Sequence, residues 1–111
     1  MMKVKDLYNH EAFQLISQVE NMDREIAGVE CCDLLSWVMA NGKEDEAWIT
    51  VQIHSNIVAV ATLLDFSCII VPEDIKVDDD VIEKAKGEDI AVFSTSLDAY
   101  GIFKVFYENG I

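Results

Sequence analysis

Ile57-Val58-Ala59-Val60-Ala61-Thr62-Leu63-Leu64-Asp65-Phe66-Ser67-Cys68-Ile69-Ile70-Val71-Pro72 is the stretch on which the fold turns. Thr62, Asp65 and Ser67 interrupt it, and a membrane span needs about 20 consecutive, mostly apolar residues. It reads instead as a helix over Ile57 to Leu64 followed by a short strand over Cys68 to Val71. Pro72 stops that strand, because it has no N–H to give to a ladder. All four strand residues are apolar, so both faces of the strand need cover. Strands of that kind belong to a mainly parallel sheet with helices above and below it.

The same alternation extends in both directions. On the N-terminal side, Ser55 or Asn56 is placed to cap the helix. Ala47 to Ile53, rich in β-branched residues, forms a strand before it. Further back, Ile26 to Cys32 reads as a strand and Asp33 as the cap of a short helix through Leu34, Leu35, Trp37 and Val38. Asn41-Gly42 ends that helix. On the C-terminal side, Asp78 and Asp79 stand where a helix start favours acid and capping oxygens. Val81 to Lys86 follows as a helix with Val81, Ile82 and Ala85 inward, and residues 90–94 form a fourth strand. Thr95 is expected to cap the last helix with Asp98 in capping-box position, and Ala99, Ile102, Phe103 and Phe106 to form its buried face. At the start of the chain, Val4 to Leu7 reads as β-like. His10 to Val19 reads as a helix, from the stripe Ala12, Leu15, Ile16 and Val19. The expected architecture is a three-layer α/β/α sandwich, with a mostly parallel sheet of four to five strands and residues 1–111 forming one domain.

Composition limits what such a domain can do. Twenty-one acidic residues face eight basic ones, for a net charge of −13. Nucleic acids and anionic membranes are bound through clustered Lys and Arg, so neither is an expected partner. The acidity serves solubility or attracts a basic protein. Cys31, Cys32 and Cys68 lie in apolar runs and make no CxxC, and no signal-peptide pattern opens the chain. Reduced thiols in the cytoplasm are expected, with no metal bound. The acids at 78–80 lack the glycine and closing glutamate of a calcium loop, so helix capping accounts for them better.

Catalytic constellations are absent. The histidines are His10 and His54, neither beside a serine–acid or cysteine arrangement that would make it a general base. The sequence contains no HExxH, GxGxxG or GxxxxGK[ST] pattern, and no cofactor is expected. His54-Ser55-Asn56 and Ser94-Thr95-Ser96 fall at the C-terminal edge of the expected sheet, where open α/β folds bind ligands beside helix N-termini. These six residues are the candidate site for a small anion. The alternative is that Ser55, Asn56 and Thr95 do no more than cap their helices.

Asp23-Arg24-Glu25-Ile26-Ala27-Gly28-Val29 resembles the signature of the DRTGG domain, an Asp-Arg pair followed by Gly-Val entering a strand. The order that follows is similar as well: Cys32-Asp33-Leu34-Leu35-Ser36, Trp48-Ile49-Thr50, Ile69-Ile70-Val71, then Ala91 to Thr95. Glu25-Ile26-Ala27 departs from the Thr-Gly run that names the family. The resemblance implies a fold like the N-terminal domain of HPr kinase/phosphorylase and the uridine-nucleotide-binding domain of the Mur ligases. It also implies occurrence beside CBS domains in regulated pyrophosphatases, near subunit contacts, and no catalytic residues. Asp23, Arg24 and Gly28 are then either interface or anion contacts, or structural. In the structural reading Arg24 pairs with Asp23 or another acid, and Gly28 admits a close helix–strand approach.

The expected function is a non-enzymatic regulatory or ligand-sensing module, homodimeric, binding a nucleotide or other phosphorylated metabolite. The alternative is an acidic adaptor that docks on a sensor kinase or redox enzyme.

Overall fold

The computed structural model describes residues 1–111. Four strands run parallel: β2 (Gly28–Cys31), β3 (Glu46–Ile49), β4 (Cys68–Val71) and β5 (Ala91–Thr95). A fifth, β1 (Phe13–Leu15), lies antiparallel to β5, giving the order β1-β5-β4-β3-β2. Between the parallel strands run α2 (Leu35–Asn41), α3 (Asn56–Leu64) and α4 (Asp79–Gly87). The chain opens with α1 (Val4–Tyr8) and closes with α5 (Ala99–Glu108).

Alternation along the strands sorts the core into two layers. Trp48, Ile69, Val71 and Val92 meet Val38 of α2, Ile57, Val58 and Ala61 of α3, and Val81 and Ala85 of α4. Ala47, Ile49, Cys68, Ile70, Ala91 and Phe93 meet Leu7 of α1 and Ile102, Val105 and Phe106 of α5. This is the three-layer α/β/α arrangement that the two-sided apolar strand at Cys68–Val71 required.

The N-terminal segment is the correction. Val4–Tyr8 is helical, its start closed by the Lys3 N–H donating to Asp6 Oδ2 at 2.8 Å. Residues 13–15, expected to be helical, instead form β1. Phe13 pairs with Thr95, Gln14 with Ser94 and Leu15 with Phe93, and the Ile16 N–H donates to Val92 O at 2.8 Å. The i, i+3, i+4 spacing of apolar residues there is real but short. An open edge of β5 offers unpaired backbone groups, and tertiary pairing with it outweighs a weak helical preference. Buried Ser17 completes the seam, donating to Ile90 O at 2.9 Å and accepting from the Val92 N–H at 2.8 Å.

Several caps also differ from expectation. Asp33 leaves the start of α2 and accepts from the Thr50 hydroxyl and the Val51 N–H, both at 2.8 Å. Asp98, rather than Thr95, caps α5, accepting from the Gly101 N–H at 2.9 Å. Phe103 turns outward at 43 % exposure, while Val105 takes its place in the core.

Candidate functional site

At the C-terminal edge of the sheet the connections diverge between β4 and β5. The chain after β4 passes to the layer of α2, α3 and α4, whereas the chain after β5 passes to the layer of α5. Such a divergence is where open α/β sheets form a ligand crevice. Here the turn after Pro72 lies across it: the Glu73 N–H donates to Leu97 O at 3.0 Å and the Asp74 N–H to Thr95 O at 2.9 Å. Glu73 and Asp74 both adopt left-handed φ, 59° and 55°, a conformation that costs a non-glycine residue about 1–2 kcal/mol. The two inter-loop hydrogen bonds hold them there.

The six candidate residues fall on this edge in two groups, separated by the width of β4. His54 is exposed, and its Nδ1 accepts the Asn56 N–H at 3.4 Å. Ser55 occupies the N-cap position of α3 with its side chain making no cap bond; beyond the Asn56 N–H, the Ile57 N–H donates to His54 O and the Val58 N–H to Ser55 O, both at 3.1 Å. Asn56 is exposed. In the second group, Ser94 is partly buried, pairing with Gln14, and Ser96 is exposed. Thr95 differs from the others: it is buried, and its hydroxyl donates to Ala12 O at 2.6 Å and accepts from the Leu97 N–H at 3.2 Å. It joins β1 to β5, as its register opposite Phe13 requires.

The Asp23–Gly28 motif lies at the opposite, N-terminal edge. Arg24, with 22 % of its side chain exposed, directs Nη2 at Asp65 Oδ1 (2.8 Å), Asp45 Oδ1 (3.3 Å) and Asp65 O. Around it the Ala27 N–H donates to Asp45 O at 2.8 Å, the Asp45 N–H to Asp65 O at 3.0 Å, and the Ser67 hydroxyl to Glu25 O. One guanidinium thus ties together the turns that lead into β2, β3 and β4. Its acid partners are Asp45 and Asp65, while Asp23 pairs with Lys5 at 2.9 Å. That pair raises the Lys5 pKa and lowers that of Asp23, through their hydrogen bond first and charge attraction second. A Cβ on Gly28 would meet Glu46 Oε2 at 3.4 Å, so the close neighbour is a side chain of the adjacent strand rather than a helix.

Asp45 and Asp65 were not singled out from the sequence, although a signal was present. Asp45, Asp65 and Asp89 each stand between a helix end and the next strand, with φ of 65°, 58° and 55°. Aspartate tolerates that left-handed geometry better than most residues. Two of the three then serve Arg24, and Asp89 accepts the Glu20 N–H at 2.8 Å.

Two of the three thiols are held away from the thiolate form. Burial pushes the Cys68 pKa up to about 12. Cys31 is also raised, by partial burial first and then by Asp33, Cys32 and Glu30. Two surface grooves lie away from both edges' candidate residues. One, of about 640 Å³, includes Gln18, Glu20, Lys86 and Asp89; the other, of about 420 Å³, lies between α3 and α4 beside Leu63 and Lys84. No helix is long and apolar enough to cross a membrane.

No family profile matches the chain, and no curated protein does. Among solved structures, it is similar to the CBS and DRTGG domains of the regulatory region of a Clostridium perfringens pyrophosphatase, in complex with the activator diadenosine tetraphosphate. The TM-score is 0.69 at 17 % identity, over 91 % of this chain and 44 % of that one, so this chain spans less than half of its length. The order of strands and helices, the Arg24 motif and this likeness agree: the chain has a DRTGG-like α/β fold.

Proposed function

We propose that the chain is a non-enzymatic regulatory module that senses a small anionic ligand, a nucleotide or another phosphorylated metabolite, and acts as a homodimer. The observation that carries this reading is the likeness in fold to a regulatory region that binds a nucleotide activator. The residues are consistent with it. His10 Nδ1 accepts the Ala12 N–H at 3.1 Å, His54 Nδ1 accepts the Asn56 N–H at 3.4 Å, and the Cys31 and Cys68 thiols are raised rather than activated. Three free cysteines suit a reducing compartment such as the cytoplasm.

The ligand position we favour is the C-terminal edge at His54, Ser55 and Asn56. There the α3 start presents the positive end of a helix dipole in an otherwise acidic protein, and the Asn56 N–H is held only by a long 3.4 Å bond to His54 Nδ1 that an anion would displace. Ser94 and Ser96 would border it, while Thr95 serves the β1 seam. Asp23, Arg24 and Gly28 act in this reading as a structural clamp, since Arg24 already faces two carboxylates of its own chain.

A thermal-shift screen of nucleotides and phosphorylated metabolites tests the proposal. A ligand at 100 times its Kd adds about 2.7 kcal/mol of stability. Ser55→Ala should weaken the response, and Thr95→Ala should lower stability with or without ligand. A flat screen removes the sensing role.

A second reading has its own support. Leu34, just before α2, and Trp37 on it are 63 % and 57 % exposed, in a chain of net charge −13. An acidic adaptor docking a basic protein such as a sensor kinase or redox enzyme would use such a patch. Its complex would weaken steeply with salt, because exposed charges are screened beyond about 10 Å at 0.1 M.

A further inference from the structure

The outer face of α5 bears three large exposed aromatic residues: Tyr100 at 79 %, Phe103 at 43 % and Tyr107 at 80 % exposure. With Lys104 they form one stripe opposite the buried Ile102, Val105 and Phe106, as spacings of three and four residues dictate. Lys104 is the one charge in the stripe; Asp98 and Glu108 stand at its ends. In a chain of net charge −13, none of the four residues of this strip is a carboxylate.

The stripe is also symmetric. Tyr100, Phe103, Lys104 and Tyr107 read the same spacing from either end, about a midpoint between 103 and 104. A two-fold interface must be self-complementary, and an antiparallel helix pair centred on that midpoint satisfies this. Tyr100 of one copy meets Tyr107 of the other, the two Phe103 rings meet beside the axis, and each Lys104 runs along the flank, where tyrosine faces accept its charge. Leu34 and Trp37, at the start of α2, show no such symmetry. A basic partner would be drawn to the acidic faces, not to a strip whose charge is a lysine.

We infer that α5 is the face through which two copies of this chain associate, as an antiparallel two-fold helix pair in the register Tyr100 to Tyr107. This rests on the homodimer in the proposed function and specifies its contact. A fully exposed aromatic offers about 150–250 Å² to an interface, so the three rings leave roughly 400 Å² per copy to bury. Twice that from both copies, with the lysine stems, reaches the roughly 1,000 Å² at which specific interfaces begin.

Sedimentation of the full chain across the micromolar range tests it. The wild type should run at about 25 kDa, twice the 12.5 kDa chain. Tyr100→Glu, at a highly exposed position, should keep the wild-type circular dichroism spectrum and run as a monomer. Adding Tyr107→Lys to it should restore association, because in this register Glu faces Lys across the axis. Trp37→Ser should remain dimeric. If Trp37→Ser dissociates the dimer and Tyr100→Glu does not, the α5 contact is overturned and the homodimer stands. If Tyr100→Glu dissociates it but Tyr107→Lys restores nothing, the register is overturned. A wild-type monomer overturns both contact and homodimer, leaving ligand sensing to the thermal-shift screen.

Discussion

Gly42 and Gly87 should respond to alanine with opposite signs. Gly42 follows α2 with φ −64° and ψ 145°, a backbone any residue adopts, so conformational freedom does not explain the glycine. Space does. A Cβ there would lie 2.6 Å from Phe66 Cζ, 2.8 Å from Val38 O and 3.0 Å from Leu64 Cδ1. Phe66 is fully buried with its ring centroid 5.6 Å from that of Trp48, so it cannot swing aside cheaply. Val38 O is backbone and already accepts the Gly42 N–H at 2.7 Å. Overpacking of this kind costs about 1–3 kcal/mol, against the roughly 0.4–1 kcal/mol that replacing glycine gains by restricting the unfolded chain. The clash should win. Gly42→Ala is expected to lower Tm by roughly 4–8 °C for each kcal/mol lost. Around Gly87, at the end of α4, nothing lies within 4 Å of a built Cβ, so Gly87→Ala keeps only the gain and should hold or raise Tm. Thermal unfolding of the two variants beside the wild type decides the matter. A Gly42→Ala protein as stable as the wild type would refute the packing argument, and a Gly87→Ala loss would refute the assignment of open space.

Arg24→Ala should destabilise by about 1–2 kcal/mol, since it leaves Asp45 and Asp65 facing each other and Asp65 O without its charged donor. Chemical denaturation measures this, and an unchanged midpoint would show that the three turns hold without the guanidinium. Glu30 has its pKa raised from 4.5, by burial first and then by Glu46. A carboxyl raised in the fold contributes stability below its unfolded pKa and loses it as pH rises through the folded one. Glu30→Gln should therefore stabilise the protein at pH 7, more than Glu108→Gln does, with the gain vanishing as pH falls below the carboxylate range. A gain that persists in acid would assign the effect to something other than ionisation.

The sequence by itself determined the parallel core. Cys68–Val71 is apolar on both faces, and such a strand is stable only between two helical layers, whatever the rest of the chain does. The spacing of the helices between the following and preceding strands then required crossovers, and the strict order β2-β3-β4-β5 follows from short connections. The weak, local signals were decided by tertiary structure. Phe13–Leu15 carried an apolar spacing compatible with a helix, and it became β1 because the edge of β5 needed hydrogen-bond partners. Thr95 and Asp33 had the chemistry of caps, but a distant carbonyl claimed one and distant donors the other. The Asp-Arg motif was legible as a motif, whereas the identity of its partners was not. Asp45 and Asp65 lie 21 and 41 residues from Arg24 and meet it only because parallel strands return every turn to the same edge of the sheet. Phe103 on α5 is a further case, exposed where periodicity expects it buried, since helical periodicity places a stripe but only the packed sheet decides which side of it is covered.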